Sequence, residues 1–223
     1  AGRLAGMRVR YVEVEALEGG MTRVGMRGLR GGWRYVPSSL HFPALTRQLD
    51  YSAGQHVSLR LFFAPPSPSL FSAFRLFESH PFSISNAPPS TGVLSSSSSS
   101  DSNRGIDLFI RSCGRGTWTG DLFAKAQLGG RVAADRNRDG GKRVLHMLAV
   151  VEGPYEGLGY EEMGQENVLL VAGGSGMSFV LGVLDECVGQ RIKSGRGGKI
   201  EVVWAIRARC ESLLLPRLCI RRT

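Results

Sequence analysis

The 223-residue chain is predicted to form an antiparallel β-barrel followed by part of a parallel α/β unit, and two patterns carry that prediction. Through the first two thirds, short segments alternate apolar and polar residues between glycine pairs, prolines and serines. This is the pattern of strands covered on one face. From residue 168 the pattern changes, because Val168-Leu-Leu-Val-Ala172 is continuously apolar and runs into Gly173-Gly-Ser-Gly176. Such a run is expected on a strand covered on both faces of a parallel sheet. The expected boundary gives a barrel over 1–157, with Pro/Ser-rich insertions at 64–69 and 87–104, and an incomplete α/β domain over 158–223.

In residues 8–17, Val12, Val14 and Ala16 lie on one side and Glu13 and Glu15 on the other, and Gly19-Gly20 ends the strand. Residues 21–26 form a second strand, and a loop through Pro37 and Pro43 leads to a third over 54–63, with Val57, Leu59, Leu61 and Phe63 inward. Closely spaced strands of this kind predict a small barrel. Next comes Glu78-Ser-His-Pro-Phe-Ser-Ile-Ser-Asn86. Pro81 fixes its own φ and pushes His80 out of the helical region, so the chain enters residue 82 extended. Phe82 and Ile84 then share one face, and Ser83 and Ser85 the other. A strand with small hydroxyls on one face can lie along a flat polar ring, although any half-buried strand alternates in the same way.

The six serines 95–100 cannot bury apolar surface and are expected to form a dispensable insertion. Residues 106–111 resume strand character. Residues 117–128 predict a helix capped by Thr117 or Thr119 and stopped by Gly129-Gly130. A strand over 143–151 ends at Glu152-Gly-Pro-Tyr155. After the apolar run at 168–172, a helix over 177–188 and a Val- and Ile-rich strand over 199–206 complete the opening βαβ unit of a nucleotide-binding domain.

The apolar content of 42% supports a core, and the net charge of +9 favours anionic partners. The basic residues cluster in glycine-rich segments, 136–143 and 191–199, without interleaved aromatic side chains. Solvated loops therefore fit better than a nucleic-acid groove, and no nucleic acid is expected as a partner. Cys113, Cys187, Cys210 and Cys219 form no C-x-x-C pair, which suits a reducing compartment. His41, His56, His80 and His146 are scattered, so no metal site is expected. Residues 167–184 carry no charge, but their glycines favour strand, turn and helix over a membrane span. Nothing like G-x-S-x-G follows a strand, which removes support for hydrolase chemistry. The start at Ala1 without a signal peptide suggests a piece of a longer protein.

Two segments could receive phosphate. Gly116, Thr117 and Thr119 lie where a strand hands over to a helix, so free backbone N–H groups and a positive dipole end meet there. An ordinary capped helix has the same composition. Gly173, Gly174, Ser175 and Gly176 follow a buried strand, and residues without Cβ let backbone close on a diphosphate. The strand after them ends in Arg207, with Arg209 beyond and no acidic residue, which favours NADPH over NADH, although two solvated arginines would read the same.

His80-Pro81-Phe82-Ser83-Ile84-Ser85 resembles the flavin motif of ferric reductases and the related NADPH oxidases. Gly54-Gln-His56 resembles the motif that begins a barrel strand in these enzymes. Gly116-Thr-Trp-Thr119 is similar to their second FAD motif, although Thr117 stands where Gly is usual. Gly173-Gly-Ser-Gly-Met-Ser178 is similar to their NADPH motif, with Met177 and Ser178 as variants, and Val203-Trp-Ala-Ile-Arg207 to the next strand. The resemblance implies a ferredoxin reductase-like FAD-binding barrel and a partial Rossmann-like NADP-binding α/β domain. It implies that Ser83 lies at the reactive edge of FAD and is the catalytic residue, and that His80, Pro81, Phe82, His56, Arg111, Gly116, Thr117 and Thr119 bind FAD. Gly173, Gly174, Ser175, Gly176, Ser178 and Arg207 would bind NADPH.

The implied activity is electron transfer from NADPH through FAD to haem and ferric iron, as in a ferric-chelate reductase. The haem belongs to a membrane domain absent from this chain, so the described region would lie on the cytoplasmic face. A superoxide-producing NADPH oxidase-like module shares the same motifs. The late Cys-Gly-Pro motif of the family has no counterpart, which leaves an inactive truncated product as an alternative. A basic nucleic-acid-binding module is the other.

Overall fold

The computed structural model describes residues 7–27, 51–63, 77–88, 91–93, 105–136, 144–155, 157–158, 165–195 and 197–206. Arg207, Arg209, the insertion at 64–69 and the serine run lie outside them. Six strands form one antiparallel sheet: β1 Met7–Leu17, β2 Met21–Arg27, β3 His56–Phe62, β4 His80–Ser83, β5 Gly105–Arg111 and β6 Leu145–Tyr155. Their order is β4-β3-β6-β1-β2-β5. Alternation places Val12, Val14, Val57, Leu59, Leu61, Leu108, Ala149 and Val151 in one buried core, where removal of apolar surface from water is the main favourable contribution.

The sheet curls until its end strands meet, and the seam is made largely by one side chain. Beyond Ser83 the chain leaves β3 for β5: the Ile84 N–H donates to the Gln55 carbonyl and the Ser85 N–H to the Asp107 carbonyl, each 2.9 Å. Asn86 then acts as a substitute strand. Its Oδ1 accepts the Asp107 N–H at 2.9 Å and its Nδ2 donates to the Gly105 carbonyl at 2.8 Å. Nδ2 also donates to the Tyr51 hydroxyl at 2.8 Å, and that hydroxyl donates to the Ala87 carbonyl at 2.9 Å. Ser85, expected on the open face opposite Ile84, is buried with it for this reason.

Two further expectations are corrected. The first helix, α1, runs over Trp118–Arg136, through the glycine pair expected to stop it. A helical glycine costs only about 1 kcal/mol, and a Cβ at Gly129 would meet the Leu145 side chain at 2.9 Å. Here the glycine admits the helix to the sheet. Strand β6 likewise continues past Glu152, through a bulge. Two steps along β3, His56 to Ser58, face three steps along β6, Tyr155 to Glu152. Gly153 takes the strain at φ 126°, a backbone region open to glycine.

In the C-terminal part, β7 Val168–Gly173 and β8 Ile200–Ala205 pair in parallel, joined by helix α2, Met177–Ser194. This helix also exceeds its predicted span. Its last turn carries Arg191 and Lys193, and Gly195 closes it at φ 64°, so the basic charges at the start of the expected loop lie at a helix C-terminus, where the dipole favours them. The expectation that β7 is buried on both faces fails. Helix α2 covers one face only, and among the described residues nothing covers Leu169 and Val171, which are 61% and 66% exposed. No described helix is long and apolar enough to cross a membrane.

Helix α2 also packs on the barrel through two buried acids. Asp185 accepts the Ala87 N–H at 2.9 Å and the Val93 N–H at 2.8 Å; Glu186 accepts the Ala53 N–H at 2.6 Å. Burial pushes the Glu186 carboxyl above its ordinary value, against the lowering effect of the Ala53 N–H and Gln190. A raised folded-state value stabilises the fold below the unfolded value and is lost as pH rises through the folded one. Glu186→Gln should therefore gain stability relative to the parent chain as pH rises upward from the ordinary carboxylate range. Urea unfolding along that rise measures the difference, and a constant difference would contradict the assignment.

Candidate functional site

Register decides what Ser83 faces. It stands opposite His56 of β3, and His56 stands opposite Tyr155 of β6. Directly opposed residues share a sheet face, and Val57, the neighbour of His56, is buried inward. Ser83, His56 and Tyr155 therefore form a row across the ends of three strands on the outer face of the barrel. The β6 bulge puts Tyr155 there, because one extra residue reverses which face a side chain takes. Its ring lies 5.6 Å from the His56 imidazole, centroid to centroid. Pro81 is exposed on the same face opposite Ser58, and the Ser58 and Ser79 hydroxyls meet at 2.7 Å.

His80 and Phe82 have the other parity and turn towards the first residue of α1. The Trp118 ring lies 4.6 Å from the His80 ring, 5.9 Å from Phe82 in a stacked arrangement, and 5.9 Å from Phe63 edge-on. The His80 Nε2 is also 3.0 Å from the Glu78 carboxylate. Strand β4 is thus joined to the start of α1 by aromatic packing. Apart from its place in the quoted Gly-Thr-Trp-Thr run, Trp118 carried no assigned role, and Tyr155 carried none. A tryptophan beside a helix cap and a tyrosine after a proline show no partner until β4 and the bulge are placed.

The turn before α1 is closed by its own hydroxyls. Thr117 Oγ1 donates to the Gly114 carbonyl at 2.7 Å and accepts the Gly120 N–H at 3.0 Å, which makes it the helix cap. Thr119 Oγ1 accepts the Cys113 N–H at 3.0 Å. Both threonines therefore shape the turn, and the first-turn backbone N–H groups other than that of Gly120 are what it offers an anion. The positions where a Cβ would stand on Gly114 and Gly116 have nothing within 4 Å, so the turn is open.

The glycine turn after β7 is a 3₁₀ turn, Gly174–Gly176, that leads directly into α2. Trp204 Nε1 of β8 donates to the Gly174 carbonyl at 3.0 Å, and Ser178 Oγ donates to the Ser175 carbonyl at 2.9 Å. Gly173 and Gly176 face open space. Arg111, at the end of β5, brings its Nη1 within 3.5 Å of the place a Gly174 Cβ would occupy. A barrel guanidinium thus lies against the second phosphate-loop candidate. Among the described residues no group of three or more His, Cys, Asp or Glu side chains gathers as a metal site would require.

No family model and no curated protein sequence matches the chain. Solved structures do match. A ferredoxin reductase of carbazole 1,9a-dioxygenase aligns over 92% of this chain with a TM-score of 0.53 and 11% identity. An Amycolatopsis cytochrome P450 reductase aligns over 92% at 0.47 and 15% identity, and a Plasmodium falciparum ferredoxin-NADP+ reductase over 93% at 0.45 and 11%. The chain spans 44%, 45% and 63% of these three proteins. The first likeness shows the fold: a ferredoxin reductase-like antiparallel barrel followed by a partial α/β domain.

Proposed function

We propose that the chain is the flavin- and nucleotide-binding part of an NADPH-dependent electron-transfer enzyme of the ferric-chelate reductase kind. The observation that carries this is the outer-face row Ser83, His56 and Tyr155, which offers a hydroxyl, an imidazole and an aromatic ring side by side at the strand ends. A planar heteroaromatic ring system fits such a row. The open turn at Gly114 and Gly116, capped by Thr117, is the cradle for the pyrophosphate of FAD, with Pro81 on the same exposed face as the row. Strand β4 is held to that cradle through His80 and Phe82 on Trp118.

Gly173, Gly174, Ser175 and Gly176 are the cradle for the diphosphate of NADPH. Ser178 braces this turn, and Arg111, expected from the sequence on the FAD phosphates, contributes positive charge beside this turn instead. Arg207, outside the described residues, is assigned to the additional phosphate from the sequence alone, because an arginine and no acidic residue follows β8 there. FAD, when bound, supplies the conversion between two-electron and one-electron chemistry. The residues of this chain bind, orient and shield it. In the longer protein, a haem-bearing membrane domain would take the electrons towards ferric chelate, with this region on the cytoplasmic side.

The test is the absorption spectrum of the purified chain after incubation with FAD and removal of free cofactor. A retained flavin band is expected, and its absence would count against the whole reading. Ser83→Ala should leave FAD affinity within about threefold and slow flavin reduction by NADPH by about tenfold or more, the range for loss of one oriented hydrogen-bonding group. Stopped-flow absorbance measures the rate. Equal losses in affinity and rate would remove Ser83 from the reactive edge.

A further inference from the structure

Asp185 and Glu186 are neighbours on one helix and reach two different segments of the barrel. Asp185 takes the N–H groups of Ala87 and Val93, on the stretch that leaves β4 just after Ser83. Glu186 takes the Ala53 N–H, on the turn that enters β3 just before His56. Both side chains are buried, Asp185 at 4% and Glu186 at 0% exposure. Burying a carboxylate is costly unless hydrogen bonds compensate, and apolar residues would fill the same space without that cost. What carboxylates add is direction, since charge-assisted bonds to backbone N–H groups fix where the main chain lies.

Two glycines on the Asp185 side of the helix bring it close enough. Gly182 and Gly189 lie three residues before and four after Asp185, hence on its face. A Cβ at Gly182 would stand 2.7 Å from the Ile84 carbonyl oxygen, and one at Gly189 would overlap the Thr91 carbonyl. The helix therefore rests backbone to backbone on the stretch that follows Ser83. Its other end begins at Met177, directly after the Gly174–Gly176 turn. Nine residue steps, about 13.5 Å at ~1.5 Å each, separate Gly176 from Asp185.

We propose that Asp185 and Glu186 are positioning residues: through the N–H groups of Ala53, Ala87 and Val93 they hold the Ser83–His56 row at a fixed spacing from the Gly173-Gly-Ser-Gly176 turn. The spacing matters because two bound groups react only when held within contact distance, and a misplacement of about 1 Å can cost about 100-fold in rate. This rests on the flavin and nucleotide reading for its consequence, but not for the latch itself.

Amide hydrogen exchange on the chain without cofactor tests the latch. Asp185→Ala should speed exchange in residues 84–93 by about tenfold or more and leave 51–55 close to the parent, while Glu186→Ala should do the reverse. Asp185→Asn and Glu186→Gln keep an oxygen acceptor and should restore most of the protection. Where an alanine variant unfolds throughout, the Asn and Gln variants decide: a smaller change confined to the matching segment upholds the latch, and no segment preference overturns it. Both segments loosening together in either variant, or neither loosening, also overturns it.

With FAD and excess NADPH, the folded variant should keep FAD affinity within about threefold and lose about tenfold or more in flavin reduction rate. An unchanged rate beside the expected exchange pattern overturns the positioning role. If the parent chain takes up no FAD, the functional reading falls while the exchange pattern still decides the latch.

Discussion

Trp118→Ala should destabilise the chain by about 3–5 kcal/mol, the range for truncating a buried aromatic side chain. Trp118 is 4% exposed and belongs to the main barrel core. Its removal would leave Phe63, His80 and Phe82 facing a cavity, and the surroundings can collapse only partly because β4 is fixed on its other side by β3. The same variant should weaken FAD uptake, since the ring joins β4 to the α1 cap. Trp118→Phe should be far milder. The indole Nε1 is buried with no hydrogen-bond partner among the described residues, so phenylalanine removes that donor along with part of the ring volume. Urea unfolding of both variants checks the order. A Trp118→Ala loss below about 1 kcal/mol would show that the cluster contributes little packing.

Asn86→Ala should destabilise by a similar amount, about 3–5 kcal/mol, by a different route. One amide side chain satisfies the Asp107 N–H, the Gly105 carbonyl and the Tyr51 hydroxyl. Its loss leaves the Asp107 N–H without that acceptor and the Gly105 carbonyl with only the longer 3.4 Å contact from the Tyr51 hydroxyl, at about 1–3 kcal/mol for each unsatisfied group, and leaves a gap in the seam. The barrel should open where β4 and β5 meet, which would appear as faster amide exchange in residues 105–107 and in 84–88 before any change in β1 or β6. Tyr51→Phe removes the hydroxyl that accepts from Asn86 Nδ2 and donates to the Ala87 carbonyl, but leaves the Asn86 bonds to Asp107 and Gly105 in place, and should cost about 1 kcal/mol. Uniform loosening of the whole sheet in Asn86→Ala would mean that Asn86 supports general packing and does not form the seam.

Both effects depend on contacts that local pattern does not encode. Alternation located β1, β2, β3, β5 and β6, because period-two burial is a property of a strand and the one face it hides. The turn signals were equally local. Helix ends were less legible: Gly129 weakens a helix in isolation, yet α1 continues because that glycine meets Leu145. Arg191 and Lys193 looked like loop charges until α2 was seen to reach Ser194.

The candidate site divides in the same way. From the residues alone came the fold class, the β4 string with Ser83, and the two glycine-containing turns, because each depends on neighbours within a few positions. Tertiary structure alone decided which face Tyr155 takes, since a bulge against β3 reverses it. It also decided that Arg111 lies beside Gly174, and that Asp185 and Glu186 are buried acceptors instead of solvated acids. Their partners are 98, 92 and 133 residues away in the chain. A carboxylate on a helix has the same local sequence whether it faces water or a main-chain N–H. Only the docking of α2 on the barrel removes the water, and that docking depends on Gly182 and Gly189 meeting carbonyls of a segment some hundred residues earlier.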